Sequence, residues 1–135
     1  MSEIPAALRR GVIERARGRC EYCGLAQRTQ EATFHVDHIT PRSSRGPTRP
    51  ENLALACVSC SLRKEARRSA ADPATGRMVP LFHPRRQVWR DHFRRDGVRI
   101  VGMTPTGRAT VAALRLNRPL VLAIRVEERK RSLLR

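Results

Sequence analysis

Two short cysteine motifs and one histidine-rich stretch carry most of the reactive side chains in this sequence. Cys20-Glu-Tyr-Cys23 and Cys57-Val-Ser-Cys60 each set two thiols three positions apart, with residues 24–56 between them. A turn of this spacing aims two thiolates at one ion, and two such turns complete a closed, tetrahedral zinc site. Thiolate count alone also admits an iron–sulfur cluster, and a CxxC in a βαβ setting would suit a thioredoxin-like redox pair. Four sulfurs leave no open coordination position, so zinc held this way is structural rather than catalytic. Any reaction chemistry then belongs between the knuckles. There the run Phe34-His35-Val36-Asp37-His38 puts two imidazoles around one carboxylate. An imidazole titrating near neutral pH is the usual general base, and a carboxylate oxygen is a hard ligand suited to Mg²⁺. On a regular strand His35 and Asp37 share a face and His38 takes the other. Asp37 and His38 reach one substrate only if the chain bends just beyond them, as Pro41 and the following loop would allow.

The chain as a whole is strongly basic. Its 135 residues carry 28 Lys and Arg against 12 Asp and Glu, a formal charge of +16. Only Lys64 and Lys130 among these cations are lysine; the rest are arginine, whose planar fork pairs bidentately with phosphate. That balance points to a polyanionic partner, nucleic acid first, and the bland reading is an arginine-rich solvated surface. No apolar run is long enough for a signal peptide or a bilayer span, which implies no membrane and a cytoplasmic protein. In that compartment cysteines stay reduced, which favours metal over disulfides.

The elements that must position these groups follow from periodicity. Ile4, Leu8, Val12 and Ala16 recur at four-residue steps, an amphipathic helix with Pro5 at its start and Gly18 at its end. The stretch 32–40 is β-leaning, with Phe34, Val36 and Ile39 as core contacts, and 41–52 is a turn-rich loop. Residues 52–70 pass from a short apolar run into a basic helix. Further on, a short strand is expected within 72–82 and a helix over 85–97, placing Val88, Trp89, His92 and Phe93 on one face. A strand over 98–103, a helix after Thr104 or Thr106 and a terminal helix over 117–135 complete the chain. His83 and His92 read as structural, Trp89 as core, and residues 127–135 as a solvated helix end.

In sequence order the motifs are CxxC, then "HVDHITPRS", then "NLALACVSC", then Arg-Lys. This series resembles the four-cysteine branch of the HNH endonucleases, which have the ββα-metal (His-Me finger) fold. The resemblance runs from about Cys20 to Lys64, roughly a third of the chain. It implies an α+β protein: a ββα-metal core with a four-cysteine zinc site, an N-terminal helix and a C-terminal α/β extension. Residues 1–70 would be the nuclease core and 71–135 an extension packed on it. That second part looks like the extension of many bacterial HNH proteins, which carries no assigned role.

By position, the resemblance makes His38 the general base and Asp37 a ligand of one Mg²⁺ or similar divalent ion. Asn52 would hydrogen-bond across the site and hold the catalytic loop. Ser61 stands where a second metal ligand, normally His or Asn, is found. A neutral serine hydroxyl is a shorter and poorer ligand. It would coordinate directly, act through water, leave His35 to supply the ligand, or mark a site that has lost activity. The implied reaction is hydrolysis of a DNA phosphodiester to 5′-phosphate and 3′-hydroxyl ends. Arg63 and Lys64, expected in the first turn of the basic helix, would hold the backbone, with Arg42 and Arg45 on the loop as further contacts. Where the family loop usually carries a Gly-Gly pair, Arg45 here precedes a single Gly46. The rival reading is a zinc-knuckle nucleic-acid-binding module without catalysis.

Overall fold

The computed structural model describes residues 4–132. The first helix, α1 (Ala6–Arg15), starts directly after Pro5 and ends through Arg17 and Gly18, both at positive φ. Val12 is buried, and Ile4, Leu8 and Ala16 pack partly buried around it, as the four-residue spacing requires. Arg15 closes the last turn and reaches across to donate to the carbonyls of Pro50 (2.8 Å) and Leu53 (2.6 Å). Those two bonds fasten the helix to the segment that leads into the central strand.

That segment belongs to an antiparallel pair, β1 (His35–His38) and β2 (Leu53–Ala56), in which His35 faces Ala56 and His38 faces Leu53. All four residues of β2 are buried. Small and branched apolar residues suit a strand covered on both faces. Phe34, Val36 and Ile39 are buried as well. The second knuckle follows at once, and Cys57 caps α2 (Val58–Lys64) by accepting from the Cys60 backbone N–H.

Two expected helices are shorter than the pattern suggests. The basic helix stops at Lys64, because Glu65 turns to φ 45° and residues 69–71 are taken into strand pairing. Arg63 and Lys64 therefore lie in the last turn of α2, not the first. Beyond it, β3 (Ser69–Ala71) pairs antiparallel with β4 (Met78–Pro80). The run 85–97 is a single helical turn, α3 (Trp89–His92), that passes straight into β5 (Phe93–Asp96). Gly97-Val98, with Gly97 at φ 61°, is the two-residue turn of the hairpin to β6 (Arg99–Gly102), since Asp96 pairs with Arg99. A turn that opens on glycine is a hairpin signal that outweighs four residues of helical spacing.

Thr104 caps α4 (Pro105–Leu114) by accepting from the Gly107 N–H at 3.0 Å. Gly107 is required there, since a Cβ would stand 2.1 Å from the His92 carbonyl oxygen. The last helix is α5 (Pro119–Lys130), and the part of the expected terminal helix at 133–135 lies outside the described residues. One hydrophobic cluster runs from Val12 through both knuckles to Phe82, Phe93, Ile100, Leu114 and Val121. Trp89 stacks on Phe93 at 4.9 Å and donates from its indole to the Tyr22 carbonyl at 3.1 Å. His92 Nδ1 lies 2.6 Å from the Thr104 hydroxyl, in a structural bond.

Candidate active site and metal centre

The four cysteines come together. Their sulfurs all lie within 4.8 Å of one another and all four residues are buried, with no disulfide among them. Cys23 Sγ and Cys57 Sγ are 3.7 Å apart. A tetrahedron with zinc–sulfur bonds of about 2.3 Å has an edge of about 3.8 Å, so the cluster has the dimensions of a zinc site. In each knuckle the first sulfur accepts from the backbone N–H of the second cysteine at 3.4 Å. Hydrogen bonding with Cys20 leads the influences that push the Cys23 and Cys60 thiols up and pull the Cys57 thiol down. Sulfurs so crowded in a dry pocket cannot all ionise alone, and a divalent cation is the species that lets them.

The C-terminal half braces this cluster from outside. Arg125, fully buried on α5, donates to the Cys23 carbonyl at 3.2 Å and to the Val98 carbonyl at 3.0 Å. Glu128 accepts from the Ala26 N–H (3.2 Å) and the Thr29 hydroxyl (2.7 Å), with Arg19 3.8 Å away. The expectation of a solvated helix end over 127–135 is therefore corrected at Glu128, which is buried. Glu21 accepts from the Leu55 N–H at 2.8 Å and pairs with Arg85. The burial of Arg125 and Glu128 escaped the sequence reading because a charged residue inside an arginine-rich helix gives no local signal of it.

A separate, open cleft of about 300 Å³ lies beside α2, lined by Asp37, His38, Arg42, Ser61 and Glu65, among others. Asp37 and His38, neighbours on β1, thus reach one cavity. His35 Nδ1 and Ser61 Oγ sit 2.8 Å apart, so the residue in the expected ligand position is joined to the histidine two places before Asp37. His38 Nε2 is 2.8 Å from the Thr48 hydroxyl, and that hydroxyl accepts from Arg42 at 3.3 Å. Burial, and then the nearby Arg42 charge, lower the His38 pKa below its ordinary value, while Asp37 opposes them. The imidazole is accordingly held neutral, the form a base requires. Thr48 and Glu65 were not singled out by the sequence, since neither stands in a motif; only the fold of the loop brings them in.

Asn52 is buried beneath the loop and makes three bonds to it. Its Oδ1 accepts from the Thr40 N–H (2.8 Å), and its Nδ2 donates to the carbonyls of Thr40 (3.1 Å) and Pro47 (2.8 Å). The Asn52 carbonyl in turn accepts from the Ile39 N–H at 2.8 Å. The loop packs so tightly on this side chain that a Cβ at Gly46 would stand 1.7 Å from the Thr40 oxygen. Arg45, the residue found in place of a glycine, takes the left-handed conformation at φ 63°. For a non-glycine residue that conformation is strained.

The arginines and lysine named as backbone contacts separate. Arg42 lines the cleft, whereas Arg45 is exposed on the loop outside its lining. Arg63 points its Nε to the Ser59 hydroxyl (3.3 Å) and lines a different cavity, on the far side of α2. Lys64 is 3% exposed and donates to the Ile39 carbonyl at 3.1 Å, so it serves as a buried tie under β1. Burial first, then the charges of Cys20, Asp37 and Cys60, push the Tyr22 phenol up, which places this ring within electrostatic reach of both sites.

Residues 20–67, about a third of the chain, match the family model described as HNH endonuclease. The segment that holds both knuckles, the His-Asp-His strand and Asn52 is thus an HNH endonuclease domain, and the clustered cysteines are consistent with the zinc-bearing branch of that family. No curated protein and no solved structure matches the chain. A domain of this kind implies a nuclease or nucleic-acid-binding function with a nucleic-acid substrate. No helix among the described residues is long and apolar enough to cross a membrane.

Proposed function

We propose that this protein is a DNA endonuclease whose active site is the cleft between β1 and α2, within a ββα-metal core formed by β1, β2 and α2. The observation that carries the reading is the convergence of Asp37, His38 and Ser61 on one open cavity, with Asn52 pinning the loop above it. His38 is the general base. Thr48 accepts from Nε2–H, which leaves the lone pair on Nδ1 to take a proton from the attacking water. The water oxygen bonds to phosphorus, the bond from phosphorus to the 3′ oxygen breaks, and that oxygen takes a proton from solvent. Products carry 5′-phosphate and 3′-hydroxyl ends.

Asp37 is a charged oxygen ligand for a divalent ion, with Ser61 or His35 beside it, and this donor set fits a hard cation that keeps several of its waters. When bound there, Mg²⁺ or a similar ion supplies Lewis-acid stabilisation of charge on the phosphate and the departing oxygen. Asn52 positions rather than reacts: by holding residues 40–47 it fixes where His38 and Arg42 stand. Residues 71–135 act as an extension packed on the core that holds the first knuckle through Arg125 and Glu128.

The test is nicking of supercoiled plasmid by zinc-loaded protein with Mg²⁺ or Mn²⁺, beside His38→Ala. Nicking by the unsubstituted protein alone is expected. Metal-dependent nicking that survives His38→Ala would refute the assignment. Binding without any nicking would favour the rival, a zinc-knuckle binding module.

A further inference from the structure

A second cavity, of about 260 Å³, opens where the nuclease domain meets the extension. Its wall carries Lys64, Arg67, Arg68, His83 and Arg86, with Thr40 at its edge, and it contains no carboxylate. No ion pair among the described residues takes in any of these cations. Arg67, Arg68 and Arg86 are exposed, while Lys64 is buried with one of its three ammonium hydrogens spent on the Ile39 carbonyl. His83 Nδ1 accepts from the backbone N–H groups of Arg85 and Arg86, both at 3.2 Å. The ring hydrogen is thereby assigned to Nε2, which makes His83 one more donor. After burial, the charges of Arg86 and Lys64 lower the His83 pKa; for Lys64, burial lowers it first, Asp37 in the neighbouring cleft draws it back up, and Arg68 across the cavity lowers it to a smaller extent.

A cluster of like charges is unfavourable unless an anion neutralises it. The backbone also places this cavity next to the cleft. Asp37, His38 and Pro41 line the cleft, while Ile39 and Thr40, between them in sequence, line the cavity. On α2 and just after it the division repeats: Ser61, Glu65 and Ala66 face the cleft, Lys64, Arg67 and Arg68 the cavity.

We infer that this cavity is a subsite for a backbone phosphate of the substrate strand, flanking the phosphate that lies in the cleft, and that the extension completes it by contributing His83 and Arg86. The inference rests on reading the chain as a protein that binds phosphodiesters, and it deepens that reading by giving the extension a share in substrate binding. The ligand is recognised by charge and hydrogen bonding to phosphate oxygens, so the subsite positions the strand without reading its sequence.

The experiment measures binding rather than cleavage. Zinc-loaded protein without other divalent ions is titrated with a fluorescent duplex DNA at several salt concentrations, for the unsubstituted chain and for Arg68→Ala with Arg86→Ala. A control pair, Arg94→Ala with Arg99→Ala, removes the same charge from exposed positions outside the cavity. Each phosphate contact contributes about 1 to the slope of log affinity against log salt. The cavity pair is expected to lower that slope by about 2, while the control pair leaves it within about 0.5. Equal slopes for the two pairs would overturn the subsite even if the protein nicks plasmid. A lowered slope in a protein that never nicks would sustain the subsite and sink the nuclease reading, and no duplex binding at all would sink both.

Discussion

The two clusters of reactive residues in this molecule are built on opposite terms. The knuckle cluster is dry and closed. Its four sulfurs are buried, and buried groups far along the chain, Arg125 and Glu128, brace the first knuckle. The cleft is open, its donors are few, and its shape depends on one buried amide and a loop that holds Arg45 in a strained conformation. The contrast teaches where each kind of stability is stored. A structural metal site draws on ligands already aimed inward, whereas a site that must admit a polymer substrate is kept in shape from below, by Asn52, and left free above.

Breaking the closed cluster should have the largest effect. Cys57→Ala removes one ligand and the cap of α2 together. Structural zinc of this kind contributes on the order of 10 kcal/mol to folding, so the variant should lose its cooperative thermal transition and its stoichiometric zinc. Calorimetry and metal analysis on the same sample check both, and an intact transition without zinc would contradict the contrast.

Asn52→Ala comes next. It strands the Thr40 N–H and two carbonyls beneath the loop, at a cost of about 3 kcal/mol in urea denaturation. Because His38 is displaced with the loop, nicking should fall by about 10²-fold while zinc content holds. Loss of zinc instead would mean that the two regions are not separately held.

The remaining predictions are smaller. Arg45→Gly relieves the left-handed strain and should stabilise the protein by about 1 kcal/mol, measurable as a higher denaturation midpoint. In the extension, Arg108 makes two bonds, at 2.9 and 2.8 Å, to the Asp72 carboxylate and holds its pKa down to about 2. A carboxyl depressed in the folded state contributes stability that is complete above its unfolded pKa of about 3.9 and is lost as pH falls toward about 2. Stability should therefore fall less steeply between about pH 4 and pH 2 in Arg108→Ala than in the unsubstituted protein. Parallel curves would show that this pair contributes nothing to stability in that range.

Much of the candidate site was legible in the sequence because metal ligands and the strand pattern are local. Two CxxC turns announce a four-sulfur cluster, and Phe34, Val36 and Ile39 mark the buried contacts in and around β1. What could not be read is what depends on chain reversal. Glu65 ends α2 through its φ, not its residue type, which moved Arg63 and Lys64 from the first turn to the last. A strand captured Phe93 from an apparent helix because the Gly97-Val98 turn gave it a partner. Ser61 drew notice only as a departure from a motif, and its bond to His35 joins residues 26 apart in sequence. Burial of Arg125, Glu128 and Lys64 was equally invisible, since long-range packing rather than local pattern decides it.

The separation of the two sites is tested most directly by the metal dependence of nicking in zinc-loaded protein, measured for the unsubstituted chain and for Asp37→Asn. Nicking should require added Mg²⁺ or Mn²⁺ and should be lost in Asp37→Asn, with zinc constant at one per chain in both. Nicking that persists in Asp37→Asn, or that rises and falls with zinc content alone, would contradict the account.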